Sequence, residues 1–142
     1  MKTILYFLVL ITATSCEMIV IGKRPVEVKT IIVSRDNPTG TVLLFKAEID
    51  AKNIKAATDF IASPNGHRLR AIDKLDFYDD LPRYHNILKK ATTITNIYEE
   101  KLANDIIRIN VEMDYIRNLT CDTKKINNLY YIVNFAYSKN LY

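Results

Sequence analysis

The sequence predicts an α+β fold in which N-terminal helices pack on an antiparallel meander sheet. Between residues 36 and 89, apolar residues recur at intervals of three or four, as they do on one face of a helix. After Lys90 the interval becomes two, which is typical of strands that bury one face and expose the other. Because the helices precede the strands, we expect a single α+β domain over residues 36–142.

The first helix is predicted to begin at Asp36-Asn37-Pro38-Thr39. An Asx residue caps a helix N-terminus, and proline fits the first turn because its missing N–H is not needed there. Val42, Phe45 and Ile49 then fall on one face, so this face is expected to point into the core.

Two further helices are predicted before the sheet. Asn53 caps a short helix over 54–62, which ends at the turn-forming Ser63-Pro64-Asn65-Gly66. A longer helix is expected over 68–89, with a kink or break at Pro82, because proline lacks the backbone donor. The predicted inner face of this helix consists of Leu69, Ile72, Leu75, Leu81, Tyr84 and Leu88.

Three strands are predicted after the helices, over residues 92–100, 105–118 and 129–137. The middle one has the clearest alternation, with Ile107, Ile109, Val111, Met113 and Tyr115 in one row. The polar stretch 120–128 is expected to be a turn, which would place Cys121 between strands.

The first fifteen residues have the pattern of a secretory signal peptide. Lys2 precedes the eight-residue apolar run 4–11, and small residues follow it. The run is too short for a membrane span, which takes about 20 apolar residues. The prediction is therefore export from the cytoplasm.

Ala13-Thr14-Ser15-Cys16 resembles the lipobox of bacterial lipoproteins, although leucine is commoner where Ala13 stands. The resemblance implies that Cys16 is the lipid attachment site and becomes the N-terminus, anchored in a membrane of the cell envelope by its acyl chains. Residues 16–35 would then form a tether with an edge strand near 26–33. The alternative is an ordinary signal peptide that leaves Cys16 a plain thiol.

Composition excludes several classes of function. The three glycines lie too far apart for a glycine-rich phosphate loop, which argues against nucleotide binding. The net charge is +4, yet the basic residues are dispersed as isolated pairs near acids. Because phosphate backbones require several cations on one face, no nucleic-acid partner is expected.

The side chains capable of chemistry form no recognised catalytic motif. The candidate acids, bases and tyrosines are Asp76, Asp114, His85, Tyr78, Tyr115 and Tyr131. His67 and His85 are the only histidines, and neither has metal-ligand spacing. We therefore predict no catalytic residues, no metal and no cofactor, and interpret these side chains as surface and core positions.

Three segments resemble small bacterial lipoproteins of the nuclear transport factor 2-like (cystatin-like) superfamily. They are Asn37-Pro38-Thr39-Gly40-Thr41-Val42, the stretch from Asp50 to Ala57, and Asn128-Leu129-Tyr130-Tyr131-Ile132-Val133. The resemblance covers residues 36–137. It implies a sheet that curves around a long helix, a cone-like shape and a conical cavity.

Two hypotheses for function follow. The first is a non-enzymatic binding or scaffold domain, tethered to the membrane and with a protein partner, or with further copies of itself as a homo-oligomer. The second is a carrier of a small apolar ligand, or an enzyme, that uses a cavity between the long helix and the sheet. The expected cavity lining is Phe45, Val111, Met113, Tyr115 and Phe135.

Overall fold

The computed structural model describes residues 32–88 and 93–139. The predicted signal peptide, Cys16 and most of the predicted tether lie outside the described residues. Within those residues, no helix combines the length and the apolarity needed to cross a bilayer.

Helices precede a four-stranded antiparallel sheet, so the predicted α+β class is confirmed. The sheet is an open meander in which strands that follow one another in the chain are neighbours. The elements are α1 (Pro38–Asp50), α2 (Ile54–Thr58), α3 (Ala71–Leu88), β1 (Ile94–Lys101), β2 (Ile106–Met113), β3 (Arg117–Ile126) and β4 (Leu129–Lys139).

Helix α1 begins as predicted. The side-chain oxygen of Asn37 accepts a hydrogen bond from the backbone N–H of Gly40, which satisfies one of the free donors at the helix start. Val42, Phe45 and Ile49 are completely buried. Because α1 contacts β2, β3 and β4, this face holds the helix against the sheet.

Helix α2 ends at Thr58, four residues earlier than predicted. The chain then runs beside β4, where the N–H of Ile132 donates to the carbonyl of Phe60 and the N–H of Ala62 donates to the carbonyl of Ile132, both at 2.8 Å. Ile61 and Ile132 form a parallel bridge. Backbone pairing with the outer edge of β4 thus replaces the last helical turn.

Helix α3 runs through Pro82, with helical residues on both sides of it. Its buried face is the predicted one only in part: Leu81, Tyr84 and Leu88 pack inward, whereas Ile72 and Leu75 are 66% and 55% exposed. Leu75 and Leu81 are six residues apart. Over that distance the side-chain direction rotates by one full turn and about 240° more, so the two residues lie on different faces of the helix. The residues that pack inward are Phe77, Leu81, Tyr84, His85 and Leu88.

The sheet has four strands where three were predicted, because residues 105–118 do not form one strand. Asp114 and Tyr115 adopt left-handed backbone conformations, with φ of 50° and 62°, and turn the chain from β2 into β3. Residues 120–126 of the polar stretch expected to be a turn belong to β3, and the turn is confined to Asn127 and Asn128. Leu119, Cys121 and Thr123 alternate along β3 and are completely buried, which is strand periodicity.

Gly40→Ala is expected to lower the free energy of unfolding by about 1–3 kcal/mol, as overpacking does. An added Cβ would lie 2.3 Å from the carbonyl oxygen of Ser34 and 2.5 Å from its nitrogen, so the backbone would have to move. Helix propensity alone predicts that this substitution increases the free energy of unfolding, by up to about 1 kcal/mol. Urea denaturation of the full chain measures the difference.

The matched control is Ala47→Gly at an exposed position of the same helix. This variant should lose only the propensity contribution, about 1 kcal/mol. An unchanged or increased stability of Gly40→Ala would contradict the close approach of residue 34 to α1.

Candidate functional site

Four of the five residues predicted to line a cavity meet in the core. Phe45, Val111 and Met113 are completely buried in one apolar cluster, and Phe135 packs against it. The rings of Phe45 and Phe135 make an edge-to-face contact with centroids 5.4 Å apart. These side chains fill the space between α1 and the sheet.

Tyr115 does not join the other four. It lies in the turn between β2 and β3 and is 72% exposed. The alternation that placed it in the buried row ends at Met113, because the left-handed turn interrupts the strand one residue later. The assignment of Tyr115 to a cavity is therefore corrected.

The thiol and the buried imidazole have structural surroundings. Cys121 lies within β3 and not in a turn, and burial raises its pKa far above the ordinary value. A ring nitrogen of His85, Nδ1, lies 2.8 Å from the carbonyl oxygen of Ile49, so its N–H donates to the end of α1. This contact ties α3 to α1.

The remaining candidate side chains are scattered over the molecule. Asp76 is exposed on α3, and Tyr78 is half-buried on the same helix. Asp114 accepts a hydrogen bond from the backbone N–H of Thr93 at 3.1 Å. His67 is exposed in the loop before α3. Over residues 32–88 and 93–139, no group of three or more His, Cys, Asp or Glu side chains is placed to hold a metal ion.

An apolar groove of about 340 Å³ lies between α3, the segment 61–69 and β4. The aromatic rings of Phe77 and Phe135, with centroids 6.3 Å apart, form part of its wall. Its lining residues are Ile61, Ala62, Ser63, Pro64, Leu69, Phe77, Val133, Asn134 and Phe135. The apolar groove therefore contains one residue of the predicted cavity, Phe135.

A second groove, the cationic groove, adjoins the first and has a volume of about 320 Å³. Ile61 and Leu69 line both grooves, so the two share a wall. The cationic groove is lined by Thr58, Asp59, Ile61, Arg68, Leu69, Lys74 and Tyr131.

Two guanidinium groups stack on the ring of Tyr131, which lines the cationic groove together with one of them, Arg68. The guanidinium of Arg35 lies 4.7 Å from the ring centroids of both Phe60 and Tyr131, and that of Arg68 lies 5.7 Å from Tyr131. Cation–π contacts of this kind favour a guanidinium position over the face of the ring. The Nη2 group of Arg35 also donates to the carbonyl of Asp59 at 3.2 Å.

These two grooves were not predicted from the sequence. Arg35 stands in the predicted tether, and Arg68 looked like an ordinary residue at the start of a helix. Both grooves form because segment 60–69 leaves the helical path and runs along β4, whereas the amino-acid pattern predicted a helix through residue 62. The neighbouring tyrosines Tyr130 and Tyr131 are the local sequence feature that could have indicated this edge.

The sheet carries an ion pair on the face away from α1. Arg108 on β2 donates to both carboxylate oxygens of Asp122 on β3, at 2.7 and 3.1 Å. The amide of Asn134 donates to the same carboxylate at 3.2 Å. These hydrogen bonds, Arg108 first, lower the pKa of Asp122 against the opposing effect of burial.

Comparisons with known proteins give no match: no protein-family model, no curated protein and no solved structure matches this chain.

Asp122→Asn is expected to lower the free energy of unfolding at neutral pH by about 1.5–3 kcal/mol, the range for charge-assisted hydrogen bonds. Because the folded pKa of Asp122 is lowered, its stabilisation is complete above the ordinary carboxyl pKa and is lost as pH falls through the folded value. The variant should thus show a weaker loss of stability in acid. Urea denaturation between neutral and acidic pH measures both effects.

Asp76→Asn is the matched control, because Asp76 is exposed on α3. It should leave stability at neutral pH within about 0.5 kcal/mol of the unaltered chain. Equal effects of the two substitutions would contradict a special role for the Arg108–Asp122 pair.

Proposed function

We propose that this chain is an exported lipoprotein, anchored at Cys16 to a membrane of a bacterial cell envelope, whose domain 36–142 is a non-enzymatic binding or scaffold module. The anchor is supported by the short apolar run and the small residues before Cys16. We extend the proposal to kinship with the nuclear transport factor 2-like superfamily, which the order of helices before an antiparallel meander supports.

A binding role is supported by how the reactive side chains are used. The Cys121 thiol is enclosed in the core with a raised pKa, which disfavours the nucleophilic thiolate. The Nδ1–H of His85 donates to a backbone carbonyl, and the side chain is itself buried. Concave surface occurs instead beside α3 and β4, where apolar and cationic side chains line two adjoining grooves. These grooves carry the proposal.

Labelled palmitate should be incorporated into the full chain produced in bacteria, and Cys16→Ala should abolish that incorporation. The reason is that the diacylglyceryl group, which carries the acyl chains, is attached through the sulfur of Cys16. Gel autoradiography of the purified chain measures the label. Cys121→Ser removes the other cysteine and is expected to retain the label. Incorporation into Cys16→Ala, or none into the unaltered chain, would remove the anchor from the proposal.

A second candidate function, a carrier of a small apolar ligand, is favoured by the apolar groove. Its walls come from α3, the loop before it and β4, so it lies beside the long helix and one strand of the sheet, and of the residues expected to line the cavity it includes Phe135 alone. Small-molecule sites are concave and mostly apolar with a few polar groups at their margin. The apolar groove, bordered by Ser63 and Asn134, has this composition.

In a panel of small apolar compounds, those that bind the apolar groove should raise the midpoint temperature of thermal unfolding of the chain. At a concentration 100 times Kd, binding adds about 2.7 kcal/mol to the free energy of unfolding. Leu69→Asp places a charge in the groove and should abolish the increase, each variant being compared with its own ligand-free midpoint. Leu75→Asp, at an exposed site on α3, is the control and should retain it. A panel without any shift argues against the carrier.

A further inference from the structure

The geometry points to a ligand of defined chemistry for the adjoining grooves: a single-chain alkyl carboxylate whose hydrocarbon part occupies the apolar groove and whose carboxylate lies in the cationic groove. This inference rests on the carrier function proposed above and adds the chemical class of the ligand.

The two grooves are suited to the two ends of one molecule. Ile61 and Leu69 line both, so the two grooves are neighbours, and the proposed ligand has to cross from one to the other over the half-buried side chain of Leu69. The rings of Phe77 and Phe135 lie on the apolar side, whereas Arg68 and Lys74 lie on the other. An entirely apolar ligand would use only half of this surface.

The charges favour an anionic head group. Lys74 is paired with Asp59, whereas none of the ion pairs found among residues 32–88 and 93–139 includes Arg68 or Arg35. The Arg35 Nε is shielded from solvent and has no hydrogen-bond partner in the described part of the chain. Two guanidinium groups beside the ring of Tyr131 thus remain without a carboxylate.

A carboxylate fits these groups in shape. The guanidinium presents parallel N–H groups that match the two oxygens of a planar carboxylate, and stacking on Tyr131 positions the guanidinium in advance. Because Asp59 already neutralises Lys74, a singly charged anion suits the groove better than a doubly charged one. A free alkyl carboxylate therefore matches both the charge and the apolar surface.

The experiment uses the full chain in membrane vesicles and an octanoate probe with a photoreactive diazirine at the end of its hydrocarbon chain. Mass spectrometry should locate the adducts on residues of the apolar groove. Free octanoate should suppress them at about tenfold lower concentration than octanol, because only the carboxylate gains charge-assisted hydrogen bonds.

Arg68→Gln should raise the octanoate concentration needed for half suppression by about tenfold and leave the octanol concentration unchanged. The unchanged octanol value also verifies that the groove of the variant is intact. Arg83→Gln, an exposed arginine on α3 paired with Asp80, is the control and should change neither value.

The outcomes separate the two levels of the proposal. Equal suppression by octanol and octanoate, or no effect of Arg68→Gln, would overturn the carboxylate head group while the carrier function stands. Adducts found only outside the apolar groove would overturn the carrier function together with the inference.

Discussion

The pairing of residues 60–62 with the outer edge of β4 is the constraint on which the rest of the structure depends. Two backbone hydrogen bonds, from Ile132 to Phe60 and from Ala62 to Ile132, fix this segment in an extended path. An unpaired strand edge invites association with other chains, and the segment covers part of it. The same pairing carries the chain past β4 toward α3, so both grooves arise from it.

The packing of α3 follows from that path. His85 reaches the carbonyl of Ile49 at the end of α1, and Tyr84 stacks edge-to-face on Phe135 with centroids 4.9 Å apart. The helix is therefore held along its second half, where Leu81 and Leu88 are completely buried. Its first half borders the grooves and leaves Ile72 and Leu75 toward solvent.

The sequence predicted those features that depend on local chemistry and periodicity. The cap at Asn37, the buried face of α1 and the alternation along β2 are each encoded within a few residues, and each is present. The end of α2, strand β3 and the two grooves depend on contacts between distant segments. Asp114 and Tyr115 adopt a left-handed turn without a glycine to signal it, and Cys121 was hidden in a polar stretch. Pairing between distant segments, which the order of residues along the chain does not show, determines these features.

The complete burial of Cys121 also affects how its thiol reacts during the lifetime of the protein. Disulfide exchange requires a thiolate that another sulfur can approach, and here both charge formation and approach are prevented by the surrounding core. Sulfur–sulfur cross-links between copies through this residue thus require the chain to open first. A disulfide-linked dimer through Cys121 would therefore show that its chains had unfolded earlier, even in an oxidising compartment in which the other molecules are folded.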